Sequence, residues 1–374
     1  MIDKLNNENV TWFLSCLDAN YIRNSNLSKS QVDDLLSISR DQFMFLLYFK
    51  NLRDCVPHLL EDVYIKKNLE YENRINKKII YGRRVIEALN KSGRPCYLIK
   101  GISNSKYIFD SIYHRDFSDL DLIVRPEDFY YANRTLLGMG AKSNLGENFV
   151  DFESIQTHEV RYEVEPNIYI EIKVCPSCIL DLDIIEHMCQ TSITKKIANF
   201  DYLTFDLENS FILLCANLYS NYTSEFGKVK IRDVIDTYLF MSAQIMNIDL
   251  DLFYSRLAKY GLEEIVLSAI AFVDLFFYKL KSSFLLKFIK SSSDVQWYKK
   301  VTMEYFGAVD NDSFISVVLR MSNSQGHFLL QHYKNEFKKS YLNPEISRED
   351  GKYNTTKRIR SHYFNIDISF HFIT

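Results

Sequence analysis

Two carboxylates, Asp119 and Asp121, stand at i and i+2 in the run Ser118-Asp119-Leu120-Asp121-Leu122-Ile123-Val124. The apolar, β-branched character of that run predicts a buried strand. Side chains alternate across a strand, so both acids point to one face while Leu120 and Leu122 point into a core. Like charges at that spacing repel unless a cation lies between them. A hard divalent ion such as Mg2+ meets the need, because it takes carboxylate oxygens and keeps open positions for water and phosphate. Alone, the pair also fits a strand edge whose two acids face solvent, so the neighbouring segments carry the decision.

Upstream, residues 95–101 read as a short strand ending in Lys100-Gly101, followed by helical character over 102–109. A strand that turns through glycine into a helix start offers backbone N–H groups and a partial positive charge to an anion, phosphate above all. Downstream, 158–164 and 168–174 read as a hairpin with a three-residue turn at 165–167. Its second strand alternates, with Ile168, Ile170, Ile172 and Val174 on one face and Tyr169, Glu171 and Lys173 on the other. Glu171 is therefore a third acid on a strand. Arg115, in the loop 110–117, either pairs with Asp116 or offers its guanidinium fork to phosphate. Lys100 either packs its stem on the sheet or reaches phosphate, and His158 reads as a partly exposed strand histidine.

Lys100-Gly101, then Arg115, Ser118-Asp119-Leu120-Asp121-Leu122 and Val124-Arg125-Pro126-Glu127-Asp128, then Ile170-Glu171-Ile172-Lys173, resembles in order and spacing the bacterial family of uncharacterised nucleotidyltransferases, within the DNA polymerase β-like superfamily. The resemblance covers 68–236. It implies a small mixed β-sheet core of α/β (α+β) class, with N-terminal helices and a C-terminal helical region. It also implies two Mg2+ ions, with Mn2+ able to replace them, held by Asp119, Asp121 and Glu171. Lys100, Gly101, Ser103, Arg115, Ser118, Lys228 and Arg232 would then contact a nucleoside triphosphate, and Glu171 would also receive the acceptor's proton. Two positions depart from the pattern. Ile102 stands where the superfamily has Ser or Gly, and Lys173 stands where this family often has histidine.

The implied reaction moves a nucleoside monophosphate, AMP as the default, from an NTP to an acceptor hydroxyl or phosphate with release of pyrophosphate. The acceptor is expected to be a small molecule, peptide or protein sooner than a nucleic acid. A nucleotide-binding regulatory protein of the same fold and a protein-interaction module are the alternatives. All three acids being present speaks against the former, and the 25 Tyr and 27 Phe fit helical cores as well as a partner interface.

A formal charge of −3 over 374 residues excludes a chain whose main work is coating nucleic acid. The first residues hold no apolar run, and the most apolar later segment, 265–277, contains Asp274 and is too short for a bilayer; a cytoplasmic protein without membrane contact is expected. Seven cysteines without a framework fit reduced thiols, while Cys175, Cys178, His187 and Cys189 have the types, though not the usual spacing, of a zinc site.

Helical periodicity marks 31–50, capped by Ser28 or Ser30, and 67–92, stopped by Gly93. A further helix starts at Pro126 with Glu127 and Asp128 in its first turn and ends at Gly138-Met139-Gly140, and 148–152 reads as a strand. Beyond Asp181 helices are expected over 206–222, 228–243, 249–260, 262–281 and 294–306, then an irregular stretch over 344–362. In the second of these, Lys228, Arg232 and Asp236 share a face beside Asp233, which reads as ion pairing or as a reach toward triphosphate. The expected divisions are 1–92 (helical), 93–180 (catalytic core), 181–310 (helical) and 311–374 (tail).

Overall fold

The computed structural model describes residues 12–273 apart from 42, 110, 145–158, 178, 198–199, 224–230, 264, 268 and 271–272. The expected strand at 148–152, His158, Cys178, Lys228, the helix 294–306 and the tail lie outside the described residues. The chain forms two compact units, one from the described residues of 16–176 and 182–210, the other from those of 12–15, 177–181 and 211–273.

The first unit begins with helices α1 (Ala19–Asn24), α2 (Lys29–Asp41), α3 (Phe45–Cys55) and α4 (Asp62–Lys91). Ser28 caps α2 reciprocally: Gln31 N–H donates to its Oγ at 3.3 Å, and its own N–H donates to Gln31 Oε1 at 2.8 Å. The single helix expected over 31–50 is two, because Phe43 takes the left-handed region (φ 58°) and Met44 N–H returns to Ser39 O at 2.7 Å, closing the first. Gly93, also left-handed (φ 73°), ends α4 as expected, with Arg94 N–H bonded to Leu89 O.

Strand β1 (Tyr97–Ile99), helix α5 (Gly101–Ile108), β2 (Asp119–Ile123), helix α6 (Phe129–Gly138), β3 (Lys142–Ser143), β4 (Glu159–Glu165), β5 (Ile168–Lys173), helix α7 (Leu182–Gln190), β6 (Ile193–Ile197) and β7 (Phe200–Thr204) follow. The strands make one seven-stranded mixed sheet of order β3-β4-β5-β2-β1-β7-β6. β2 lies at its centre, parallel to β5 and antiparallel to β1. The β4–β5 turn is tighter than the three residues expected: Glu165 pairs with Ile168, Asn167 supplies the left-handed residue (φ 64°), and a bulge between Glu163 and Glu165 absorbs the difference.

One face of the central strands carries Leu120, Leu122, Ile170, Ile172, Val160 and Tyr162, all buried. Helix α4 lies close over it. A Cβ on Gly82 would come 2.6 Å from Leu120 Cδ1, so glycine there permits the approach. Helix α6 serves the same face, and Asn133 Oδ1 accepts from the buried Tyr162 hydroxyl at 2.6 Å. With its apolar face covered, the sheet turns Asp119, Asp121, Glu171 and Lys173 to the other.

Strands β6 and β7 extend the sheet past residue 181, where the sequence predicts a mostly helical chain and no strand, and β7 runs parallel to β1 through Tyr97 and Leu203. Helix α8 (Leu207–Thr223) carries the chain into the second unit, which also holds α9 (Ile231–Gln244) and α10 (Leu250–Tyr260). Phe211 stacks on Phe240 at 5.5 Å and on Phe253 at 5.6 Å, giving that unit an aromatic core. Asp249 caps α10 by accepting from Asp251 and Leu252 N–H, and left-handed Gly261 ends it. Among the described residues no helix is long and apolar enough to cross a membrane.

Candidate active site

The parallel register of β2 and β5 places Asp121 directly beside Glu171, with Asp119 two residues along the same face. Carboxylate oxygens of the three acids all lie within 4.8 Å of one another, the one group among the described residues able to gather a metal ion. Asp121 is buried; Asp119 and Glu171 are half-buried. Burial, then the charges of Asp121 and Glu171, push the Asp119 carboxyl up to about 6, although Ser118 hydrogen-bonds it. This unmet negative charge and the all-oxygen donor set fit a hard cation.

Lys173 complicates the fit. Its Nζ lies 3.1 Å from Asp121 Oδ1, 2.8 Å from Glu171 Oε2 and 2.6 Å from Glu159 Oε2, with 7% of the side chain exposed. Register explains the convergence: Ile123 of β2 and Glu159 of β4 both lie opposite Lys173. Burial opposes an ammonium there, but the three carboxylates outweigh it and hold its pKa well above the ordinary lysine value. Burial likewise opposes ionisation of Asp121, yet Lys173, Lys100 and Arg115 keep its carboxyl below the usual range. Lys173 is thus the principal internal counter-charge. The sequence marks it only as a departure from the family's histidine. Counting outward from the expected turn, with 164 opposite 168, already puts Glu159 opposite Lys173.

Lys100 joins β1 to α5 in a backbone conformation (φ 54°, ψ −147°) that side chains rarely adopt. Its Nζ donates to Pro176 O at 2.8 Å. Burial and the neighbouring Lys173 draw its pKa down, against the pull of Asp121, Glu159 and Glu171. Gly101 opens α5 with an ordinary φ; glycine here gives room, since a Cβ would meet Phe117 Cβ at a tight 3.3 Å. Ser103 is buried, its hydroxyl 2.6 Å from Thr204 Oγ1 on β7.

Arg115 is buried and donates to the Asp116 carbonyl at 3.2 Å, while the Asp116 carboxylate takes Arg74 at 3.0 Å, Lys78 at 3.8 Å and the Phe117 N–H at 2.9 Å. Lys78 also donates to the Phe117 carbonyl. Helix α4 thereby fixes the loop that leads into β2. Long sequence separation hid this role of Arg74 and Lys78. Arg161, across from Glu171 on β4, lies 3.9 Å from it and over the Tyr169 ring.

Arg232 belongs to the second unit, where its Nε is 3.6 Å from Asp233 Oδ1 and Asn221 donates to the same carboxylate at 2.9 Å. The buried Cys189 thiol hydrogen-bonds Tyr97 and is pushed up to about 12, chiefly by burial.

A strand, turn and helix ahead of paired acids on a central strand, with a third acid in register on a parallel neighbour, make a core of the nucleotidyltransferase type. A sequence profile for the family described as uncharacterised nucleotidyltransferases matches residues 28–278, and the chain belongs to that family. A comparison with curated proteins finds no match.

Proposed function

We propose that the protein transfers a nucleoside monophosphate, AMP by default, from an NTP to an acceptor hydroxyl or phosphate of a small molecule, peptide or protein, releasing pyrophosphate. The observation that carries this reading is the in-register placement of Asp121 and Glu171, with Asp119 on the same face, within one ion's reach. Asp119 and Asp121 would hold a divalent ion, Mg2+ or Mn2+ in its place, which when bound draws charge from the triphosphate oxygens. Ser118 orients Asp119 through its hydrogen bond. Arg115 and Lys100 supply fixed positive charge beside Asp121, where the α-phosphoryl oxygens become more negative as the bond to pyrophosphate breaks. Gly101 lets the start of α5 close on the strand that carries the acids. Glu171 receives the proton of a hydroxyl acceptor. The cysteines among the described residues are free thiols, in keeping with work in a reducing cytoplasm.

Lys173 among the acids favours one second reading, a protein that binds nucleotide without turning it over. Incubation with each α-labelled NTP and Mg2+, with and without cell extract as acceptor source, separates the two. Acceptor-dependent label transfer with pyrophosphate release is expected. Nucleotide binding without release would leave the second reading standing.

A further inference from the structure

We propose that the Lys173 ammonium stands in for the second divalent ion, so that the site loads one metal ion, on Asp119 and Asp121. The inference rests on the nucleotidyltransferase reading and deepens it. Lys173 Nζ touches one carboxylate on each of three adjacent strands, Asp121 of β2, Glu171 of β5 and Glu159 of β4, at 3.1, 2.8 and 2.6 Å. An ammonium has three protons, and three acceptors account for them all. Glu171 is the acid that would complete a second site beside the paired aspartates, and the lysine already ties it to Asp121. A dication placed there would lie against a buried cation and compete with it for the same oxygens.

The lysine is held in that position. It leaves β5 two residues from Glu171 on the same face, its side chain is almost fully enclosed, and Glu159 anchors it from the far side. Asp119 is outside this set of contacts. Its oxygen is nonetheless within 4.8 Å of the other two acids, so Asp119 with Asp121 offers one ion a place that the ammonium does not occupy. Lys100 and Arg115 add positive charge on the Asp121 side and leave still less call for a second dication.

The test counts metal directly. Mn2+ is titrated into the full chain saturated with an NTP whose α,β bridge is methylene, and bound Mn2+ is read by electron paramagnetic resonance. One ion per complex with an uncoupled spectrum is expected for the wild type. Lys173→Met should bind two ions with the spin coupling of a close pair, and should that variant not fold, Lys173→Gln, whose amide keeps hydrogen bonds to the carboxylates, takes its place. Two coupled ions in the wild type overturn the proposal and leave the transferase reading intact, as does one ion in the lysine variants. If Asp119→Asn leaves Mn2+-dependent nucleotide affinity unchanged, the metal site itself falls and takes this inference with it.

Discussion

Two clusters of buried charge lie within the sheet unit, and they are built on opposite principles. At the entrance to β2, one carboxylate, Asp116, meets Arg74, Lys78 and a backbone N–H. On the strand face, four carboxylates, Asp119, Asp121, Glu159 and Glu171, surround the Lys173 ammonium, which touches three of them, while Lys100 and Arg115 act on Asp121 and Arg161 lies 3.9 Å from Glu171. The first cluster is complete and fastens a loop. The second leaves Asp119 with its carboxyl pushed up to about 6 by burial and by its acidic neighbours. A cluster that satisfies itself holds structure; one that leaves an acid such as Asp119 strained has the character the proposed metal site needs.

Exchanging the acids of the two clusters breaks the comparison most severely in activity. On the proposed reading, Asp121→Asn or Asp119→Asn should lower label transfer from α-labelled NTP by about a thousandfold or more, since each would remove a ligand of the ion that meets the triphosphate. Turnover within tenfold of wild type would show that the strand face is not the reaction centre.

In stability the order reverses. Asp116→Asn leaves Lys78 and Arg74 without their carboxylate and should cost about 3–5 kcal/mol in urea unfolding, with or without Mg2+. Asp119→Asn in metal-free buffer should leave stability unchanged or raise it, because it relieves repulsion. A loss for Asp119→Asn equal to that for Asp116→Asn would make both clusters structural.

The pH dependence sharpens the same contrast. A folded-state value of about 6 against an ordinary 3.8 means the native state holds the Asp119 proton more tightly than the unfolded chain. Asp119 therefore lowers stability as pH rises from about 4 to about 6, by at most about 3 kcal/mol, and no further above that. The difference between wild type and Asp119→Asn, measured without metal from pH 4 to 8, should show this fall, and saturating Mg2+ should reduce it. A difference independent of pH would mean that the acid carries no strain.

The smallest effect belongs to the second unit. Arg232→Ala, which takes a guanidinium only 13% exposed away from Asp233, should cost about 1–2 kcal/mol of stability. NTP affinity measured on the same variant is expected to hold, and a tenfold loss would bring Arg232 into the nucleotide site.

What was legible in the sequence was whatever depends on short-range pattern. Asp119 and Asp121 alternate with Leu120 and Leu122, so strand and shared face follow from period two. Gly93 and Ser28 mark helix ends for local reasons. What was hidden depends on pairing between distant segments. β6, with Lys195 and Lys196 in its middle, has little apolar alternation because it is an edge strand, and its place follows only from β7 joining β1. That the Ser103 hydroxyl lies 2.6 Å from that of Thr204 could not be read from the sequence, because Thr204 is on a strand 101 residues away. Lys173 gains its meaning only where three strands lie side by side.

The parallel pairing of β2 with β5 also bears on how the chain folds. Asp121 and Glu171 are separated by fifty positions and become neighbours only when that pairing closes a long loop, a slow and costly step for any chain. Bringing carboxylates together at that moment would ordinarily raise the barrier further. Here the incoming strand carries its own remedy, because Lys173 travels two residues behind Glu171 and reaches Asp121 in the same event. The sheet can therefore close with its acids already paired to a counter-charge of the chain's own.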